Sequence, residues 1–381
     1  MINIFQPSVG KEEINSLTKV FESNWVGRGP VTEKFEQSFS EKIGVDKENV
    51  CTTGGCTQGI NAILEILNLE SNDEVIIPSL SFIGIANSVV RANGKVVFCE
   101  VEERSMNTNL DYISKVTTDK TKAVILIHYG GYPCSDMDKI VNFCKNKNIV
   151  LIEDNACSPF STFKGKNTGT LADFGVWSFD AMKVMTTGDG GMIYCKNKKT
   201  MSKLRKHLYF GLVTKSGLSN KVDERWWEYD ITSSGGKSVV NDIISSIGLE
   251  QLKKVDKFIK IRKKIACAYD EKFSKLDWIS IPPNISDDVE SSYYMYWIQV
   301  ENQSVRDGLA KHLRENDVYT TFRYYPLHWV DFYKNLVEDT SDFINTESAA
   351  VKTLCIPIHQ SLSNDDVNLI TNLIKEYNNG L

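Results

Sequence analysis

The chain has 381 residues, of which 41% are hydrophobic and 24% are charged, and its formal net charge at pH 7 is -5. This composition predicts a globular protein of two or three domains with a large buried core. The negative charge gives no general attraction to nucleic acid or anionic lipid, and no apolar stretch approaches the roughly 20 residues that span a bilayer. Since the N-terminus carries no secretory signal pattern, we expect a cytoplasmic protein that binds neither nucleic acid nor membrane.

The chain contains nine cysteines, and their number and spacing bear on metal binding and on disulfides. No pair has the spacing of a zinc site, and the odd count argues against a disulfide framework. We therefore expect reduced thiols and no bound metal. Most of these cysteines are expected to pack as small hydrophobic side chains. Cys56 and Cys157 are the exceptions, because each stands in a segment with candidate chemistry.

Short apolar runs alternate with helical patterns between about residues 60 and 195. The strand candidates are rich in β-branched residues and nearly continuous in hydrophobicity, which is typical of strands buried on both faces. They cover residues 74–78, 95–101, 123–128, 149–153, 175–179 and 191–195, and the helix candidates cover 57–67, 82–92, 110–116 and 137–147. This alternation predicts an α/β fold with a mostly parallel sheet sandwiched by helices, and with ligands at the carboxyl ends of the strands.

The pattern changes after residue 210. Residues 211–240 hold several glycines together with Trp226 and Trp227, which predicts a long, structured loop with a functional role. A helical pattern over 242–273 follows, then a strand candidate at 294–300 and helices at 305–315 and 364–377. We interpret residues 1–245 as a large domain with an N-terminal arm, and residues 246–381 as a smaller α+β domain.

Three segments that follow strands or begin helices carry candidate chemistry. Gly54-Gly55-Cys56-Thr57 stands before a helix, where glycines allow close approach and unpaired N–H groups favour a phosphate, although a purely structural helix cap explains it equally well. Asp154 ends an apolar strand and suits a helix cap, a metal ion or a ring nitrogen. Lys183 lies between a buried strand and the turn Gly188-Asp189-Gly190-Gly191. Burial there is expected to lower its pKa and to make the neutral amine available.

Together the three segments match the requirements of one cofactor, pyridoxal 5'-phosphate (PLP). PLP needs a phosphate cradle, an acid at its pyridine nitrogen and a lysine for its aldehyde, and its protonated ring then acts as an electron sink. We therefore predict that the protein holds PLP as a Schiff base on Lys183, with one of the two acids that end the strand, Glu153 or Asp154, at the ring nitrogen.

Motifs along nearly the whole chain point to a known family. They are Trp25-Val26-Gly27-Arg28-Gly29-Pro30, Gly55-Cys56-Thr57, Pro78-Ser79-Leu80-Ser81-Phe82, Glu153-Asp154-Asn155-Ala156, Ser178-Phe179 followed by Lys183, and Tyr325-Pro326-Leu327-His328. In these motifs the chain resembles the DegT/StrS-type sugar aminotransferases. The resemblance implies PLP fold type I, with a mostly parallel seven-stranded sheet and a smaller C-terminal domain.

The resemblance also implies roles for individual residues, and it places Asp154 at the pyridine nitrogen of the cofactor. Lys183 would be displaced by the incoming amine and would then shuttle the proton as general base and acid, while Phe82 would stack on the cofactor ring. The phosphate would be bound by Gly55, Cys56, Thr57 and Ser178.

Two positions depart from the family pattern. Cys157 stands where relatives carry glutamine or histidine against the phenolic oxygen of the cofactor. Lys237 lies in a loop that in relatives reaches the phosphate of the partner subunit, so a homodimer is implied. Either Lys237 supplies that contact from the partner subunit, or the loop has another shape.

The substrates implied by the resemblance are glutamate, as amino donor, and a nucleotide-linked keto-sugar, as acceptor, in a ping-pong reaction that serves amino-sugar and polysaccharide or lipopolysaccharide synthesis. A 4-keto-6-deoxy sugar is favoured, with a 3-keto sugar as competitor. A sugar dehydratase, which in this family carries histidine in place of Lys183, and a non-catalytic PLP-binding regulatory protein are the alternatives. Aromatic and basic side chains suited to a sugar nucleotide are Trp226, Trp227, Arg323, Tyr324 and His328.

Overall fold

The computed structural model describes residues 1–213, 229–335 and 343–378. The helices are α1 (Lys11–Glu22), α2 (Pro30–Ile43), α3 (Cys56–Leu67), α4 (Ile83–Arg91), α5 (Leu110–Val116), α6 (Met137–Lys147), α7 (Lys198–His207), α8 (Asp242–Phe273), α9 (Gln303–Glu315), α10 (Asp331–Lys334), α11 (Ile344–Lys352) and α12 (Asn364–Asn378). The strands are β1 (Val50–Thr53), β2 (Glu74–Pro78), β3 (Lys95–Cys99), β4 (Thr121–Ile127), β5 (Val150–Asp154), β6 (Thr162–Phe163), β7 (Lys166–Asn167), β8 (Phe174–Ser178), β9 (Gly191–Cys195), β10 (Val289–Glu290), β11 (Tyr296–Gln299) and β12 (Thr353–Ile356).

The main sheet has seven strands in the order β1-β9-β8-β5-β4-β2-β3, and β9 alone runs antiparallel to its neighbours. The predicted α/β fold with a mostly parallel sheet is therefore confirmed. Strands β2, β5, β8 and β9 are buried along nearly their whole length, as their continuous hydrophobicity predicts. The six strand candidates are all present. The seventh strand, β1, was missed because it has only four residues, two of them threonines.

Helices α1 and α2 were also missed by the sequence prediction. Both pack against α8, the long helix whose predicted range of 242–273 is confirmed. The carboxylate of Asp242 fixes this packing, because its Oδ1 accepts hydrogen bonds from the backbone N–H groups of Gly29 and Thr32 at 2.8 and 2.9 Å. The N-terminal arm is thereby held to the first turn of α8.

A second hydrophobic cluster lies around the antiparallel pair β11 and β12, and it is built from the second half of α8 together with α9 and α12. The predicted strand at 294–300 is shorter than expected, and its partner β12 had not been predicted. The division expected at residue 246 falls inside α8, since this helix runs unbroken from Asp242 to Phe273. Helix α8 therefore belongs to both regions.

The helices and side-chain clusters of the described residues also bear on membranes and metals. No helix there is both long and apolar enough to span a membrane. No group of three or more His, Cys, Asp or Glu side chains within those residues is arranged to hold a metal ion. All nine cysteines are free thiols, and eight of them are buried.

Candidate active site

A cavity of about 190 Å³ lies where β5 and β8 end and α3 begins. This is the edge of the sheet at which ligands were expected. Most of the residues proposed from the sequence meet there, although they come from widely separated segments. The predicted residues that line the cavity are Gly55, Cys56, Thr57, Phe82, Asp154, Cys157, Ser178, Lys183, Arg323 and Tyr324.

Lys183 reaches this cavity from the loop between β8 and β9. The loop turns back on itself, with the N–H of Lys183 donating to the carbonyl of Asp180 at 3.0 Å, and Gly188 and Gly190 adopt φ values of 88° and 141° that favour glycine. The lysine side chain is only 9% exposed. Its Nζ lies 3.8 Å from the thiol of Cys157 and 4.7 Å from the ring centre of Tyr294.

The charge state of Lys183 differs from the sequence prediction. Burial does oppose the charged amine, as expected, but the surrounding acidic groups Cys157, Tyr294, Tyr324 and Asp154 outweigh it and raise the pKa of Lys183 well above its ordinary value. The expectation of a lowered pKa was therefore wrong, because the sequence did not reveal how many acidic side chains converge on the amine. Without the cofactor, this lysine is a buried ammonium group at neutral pH.

Asp154 ends β5 at the floor of the same cavity. Among the described residues, the hydrogen bonds that it accepts go to Oδ1, from the N–H of Ala156 at 2.8 Å and from the thiol of Cys56 at 3.6 Å. Burial raises the pKa of the Asp154 carboxyl, while the Ala156 N–H and the charge of Lys183 oppose that rise. Its Oδ2 is left as an acceptor that a protonated ring nitrogen would satisfy.

The start of α3 lines the same cavity. Gly55 is the N-cap residue, and no side chain caps this helix, so its first N–H groups are available to an anion. A Cβ on Gly191 would lie 2.8 Å from the carbonyl carbon of Gly55 and 3.0 Å from the backbone nitrogen of Cys56, so this glycine allows β9 to approach the helix start. Ser178, which ends β8, adds a buried hydroxyl. This donor set fits a phosphate group.

The rest of the cavity wall is aromatic and sulfur-containing. The hydroxyl of Tyr324 lies 3.5 Å from the thiol of Cys157, and the rings of Tyr324 and Phe82 are 6.0 Å apart. Phe82 is half exposed at the mouth. The guanidinium of Arg323 lies 4.8 Å from the ring centre of Phe5. A flat ring could therefore pack against the faces of Phe82 and Tyr324, and Arg323 could bind a negatively charged group.

Two described residues that were proposed from the sequence do not line the cavity. His328 is 1% exposed, with Nδ1 2.6 Å from the Ser79 hydroxyl and Nε2 3.1 Å from the Glu347 carboxylate. These bonds make it a packing residue beneath the site. Lys237 is exposed on a loop that pairs with Tyr209, and it does not line the cavity of its own chain. Trp226 and Trp227 lie outside the described residues.

Two aromatic residues near the site were missed. Tyr294 is fully buried beneath Lys183, and Phe5 stacks on it with ring centres 5.0 Å apart. Tyr294 had been assigned only as the first residue of a strand. The run Tyr293-Tyr294-Met295-Tyr296-Trp297 was a possible signal, because four aromatic residues in five exceed what one strand face needs.

The buried lysine, the acceptor on Asp154 and the uncapped helix start fit the three polar ends of PLP. Fold and site together thus define a PLP-dependent enzyme of the α/β class. Comparison with known families makes this specific: the chain belongs to the DegT/DnrJ/EryC1/StrS aminotransferase family, whose model matches residues 7–375.

Similar proteins cover the full length of the chain. It is 38% identical, over 97% of its own length and 95% of the relative's, to a dTDP-4-dehydro-2,3,6-trideoxy-D-glucose 4-aminotransferase of Saccharopolyspora spinosa. The crystal structure of the aminotransferase TlmJ from Streptoalloteichus hindustanus matches with a TM-score of 0.93 and 39% identity, covering 100% of this chain and 99% of that one. Spr1654 from Streptococcus pneumoniae, solved in a PLP form, matches with a TM-score of 0.90 and 25% identity, covering 99% and 98%. The predicted family, enzyme class and cofactor are confirmed.

Proposed function

We propose that this aminotransferase moves the amino group of glutamate to carbon 4 of a nucleotide-linked keto-sugar. The observation that carries the proposal is the convergence of buried Lys183 and Asp154 on one cavity at the carboxyl edge of the sheet. Carbon 4 is favoured over carbon 3 because the Saccharopolyspora spinosa relative is a 4-aminotransferase of a dTDP-linked sugar.

Different residues of the cavity would each hold one part of the cofactor. The N–H groups at the start of α3 and the hydroxyl of Ser178 would bind its phosphate and fix the direction of its ring. Oδ2 of Asp154 would accept a hydrogen bond from the protonated ring nitrogen and keep that nitrogen charged. When bound in this way, PLP supplies an electron sink for negative charge on the reacting carbon.

Lys183 would move the proton that amino transfer requires. Its amine would take the proton from the substrate carbon that loses the amino group and deliver it to the carbon that came from the aldehyde of the cofactor, as general base and then general acid. Cys157 and Tyr294 hold the amine at the floor of the cavity, at 3.8 and 4.7 Å. Phe82 would cover the open face of the ring and exclude water.

The donor and the acceptor would use the same cavity in turn, as a ping-pong reaction requires. Arg323 is the cavity residue best suited to an anionic substrate group, since a guanidinium can bind a carboxylate or a diphosphate through two hydrogen bonds. Trp226 and Trp227 stay predictions for the sugar nucleotide.

The wider setting is also part of the proposal. We propose a cytoplasmic homodimer in which Lys237, which is exposed and does not line its own cavity, contacts the cofactor phosphate in the partner subunit. The division into a large domain of residues 1–245 and a small domain of residues 246–381 stays part of this proposal.

The test is a screen of the PLP-loaded enzyme. Glutamate alone should convert the bound cofactor to its amine form. The treated enzyme should then aminate a 4-keto-6-deoxy sugar linked to dTDP, GDP or UDP, and mass spectrometry detects the amino-sugar product. The same sugars with a 3-keto group are the matched comparison. Loss of water from the sugar, without any effect of glutamate, would favour the dehydratase. Absence of both reactions across the screen would favour a regulatory protein.

A further inference from the structure

A phenol and a thiol form a hydrogen-bonded pair beside Lys183. The hydroxyl of Tyr324 lies 3.5 Å from Sγ of Cys157, and the same sulfur lies 3.8 Å from Nζ of Lys183. Tyr324 and Cys157 line the cavity and are 167 residues apart in the chain. Cys157 therefore connects the Tyr324 hydroxyl to the amine.

The pair leaves the Tyr324 hydroxyl able to donate elsewhere. Sulfur is a weak donor and a weak acceptor, so a thiol orients a neighbouring hydroxyl without satisfying it. The backbone of this segment is fixed independently, because the hydroxyl of Tyr129 donates to the carbonyl of Arg323. The Tyr324 ring also rests against Phe82. The hydroxyl is thus held in place, and within the described residues it has no stronger acceptor than the thiol of Cys157.

The chemistry of PLP indicates what this hydroxyl meets. The ring carries its phenolic oxygen on the carbon next to the one that bears the aldehyde, so a group close to the Lys183 amine is close to that oxygen as well. A phenolic O–H is a much better donor to an oxyanion than a thiol is. We propose that the Tyr324 hydroxyl, oriented by Cys157, donates a hydrogen bond to the phenolic oxygen of the cofactor. This rests on the proposed function only in requiring PLP on Lys183.

Such a bond would have a measurable signature. By drawing negative charge away from the phenolic oxygen, the donor would loosen the proton held between that oxygen and the nitrogen of Lys183. Loss of the donor should therefore move the pH at which the bound cofactor changes its absorbance upward, by about one unit, for one hydrogen bond to a charged group.

The experiment is a spectrophotometric pH titration of the PLP-loaded enzyme without substrates. Tyr324→Phe removes only the hydroxyl and is expected to shift the midpoint upward by about one unit. Tyr269→Phe is the matched comparison, because this fully buried phenol lies in the cluster around β11 and β12 and does not line the cavity. Its midpoint should stay with the wild type. Cys157→Ala should shift the midpoint in the same direction by less, since the hydroxyl remains but loses its orientation.

The outcomes separate the competing explanations. An unchanged midpoint in Tyr324→Phe overturns the proposal, and so does an equal shift in Tyr269→Phe or a shift that appears only in Cys157→Ala. If Tyr324→Phe binds no cofactor, Cys157→Ala decides, and an unchanged midpoint there overturns the proposal. A wild-type protein that shows no lysine-bound cofactor band would instead contradict the proposed function itself.

Discussion

Tyr294 contacts two buried cationic side chains, Lys183 and Arg262, whose surroundings differ in kind. Nζ of Lys183 lies over the Tyr294 ring, among acidic groups that raise its pKa. Arg262, on α8, donates instead to neutral groups, and burial lowers the pKa of its guanidinium to about 10. Its acceptors are the carbonyls of Tyr293, Tyr294 and Ile358 and the side chain of Gln360. Ionisable side chains surround Lys183 at the cavity. Carbonyl groups instead accept hydrogen bonds from Arg262, which acts as a clamp between the chain segments that carry them.

The region around Arg262 holds further polar atoms whose hydrogen bonding is incomplete. Within the described residues, Nη2 of Arg262, Nδ1 of His359 and Nε2 of Gln360 have no partner. His359 contacts the carbonyl of Asn3 at 3.2 Å, and burial together with the charge of Arg262 lowers its pKa to about 4. This region should therefore control stability and its pH dependence, while the region around Lys183 controls reactivity.

The largest expected difference between the two cations is in catalysis. Lys183→Arg keeps a positive charge but removes the amine, so the reaction of the bound enzyme with glutamate should slow by about 10²- to 10⁴-fold, the range for loss of a general acid–base group. The measurement is rapid mixing with glutamate while the cofactor absorbance is followed. The reverse exchange, Arg262→Lys, is the control and should stay within about threefold of wild type. Equal losses in both variants would contradict the distinction.

The second prediction concerns the clamp. Arg262→Met removes the donor from several buried carbonyls and should lower the free energy of unfolding by about 2–4 kcal/mol. The spectrum of the bound cofactor should not change. Lys253→Met is the matched control on the same helix, because its ion pair with Glu250 is at the surface and should contribute less than about 1 kcal/mol. Chemical unfolding of both variants measures the two losses. Similar losses of the free energy of unfolding would contradict the role of Arg262 as a clamp.

The third prediction follows from His359. Its pKa of about 4 in the folded protein lies below the ordinary 6.5, so the unfolded chain binds more protons between these values. Stability should therefore be lost as the pH falls from 6.5 to 4, by roughly 3 kcal/mol, and His359→Gln should flatten this dependence. Unfolding measured at several pH values tests it. The same pH slope in the variant would show that another group is responsible.

The smallest effect concerns the loading of the cofactor. Because the pKa of Lys183 is raised, the amine is protonated at neutral pH in the cofactor-free protein, and only its neutral form reacts with an aldehyde. The rate of PLP loading should therefore rise about tenfold for each pH unit between pH 6.5 and 8.5. Stopped-flow absorbance measures this rate. A flat profile would mean that Lys183 is already neutral, as burial alone would make it.

The sequence predicted those parts of the site that lie at the ends of strands. Lys183, Asp154 and Ser178 each follow a continuous apolar run, and in a parallel sheet such positions meet at one edge. The main sheet was predictable for the same reason, whereas the short strands β1 and β12 gave too weak a signal.

The remaining features depend on contacts between distant segments. Cys157 and Tyr324 meet across 167 residues, and no local pattern predicts that pairing. The environment of Lys183 was mispredicted for this reason, since burial could be inferred from the neighbouring strand but the converging acids could not. His328 is the opposite case. It lies close to Arg323 and Tyr324 in sequence, but its side chain packs beneath the site and does not line the cavity.

The central claim, that Lys183 holds the cofactor, is tested most directly by borohydride reduction of the PLP-loaded protein followed by peptide mass mapping. The reduced cofactor should be found on the peptide that contains Lys183, and Lys183→Ala should leave no peptide labelled. Attachment to a different lysine, or a wild-type cofactor that borohydride cannot fix to the protein, would contradict it.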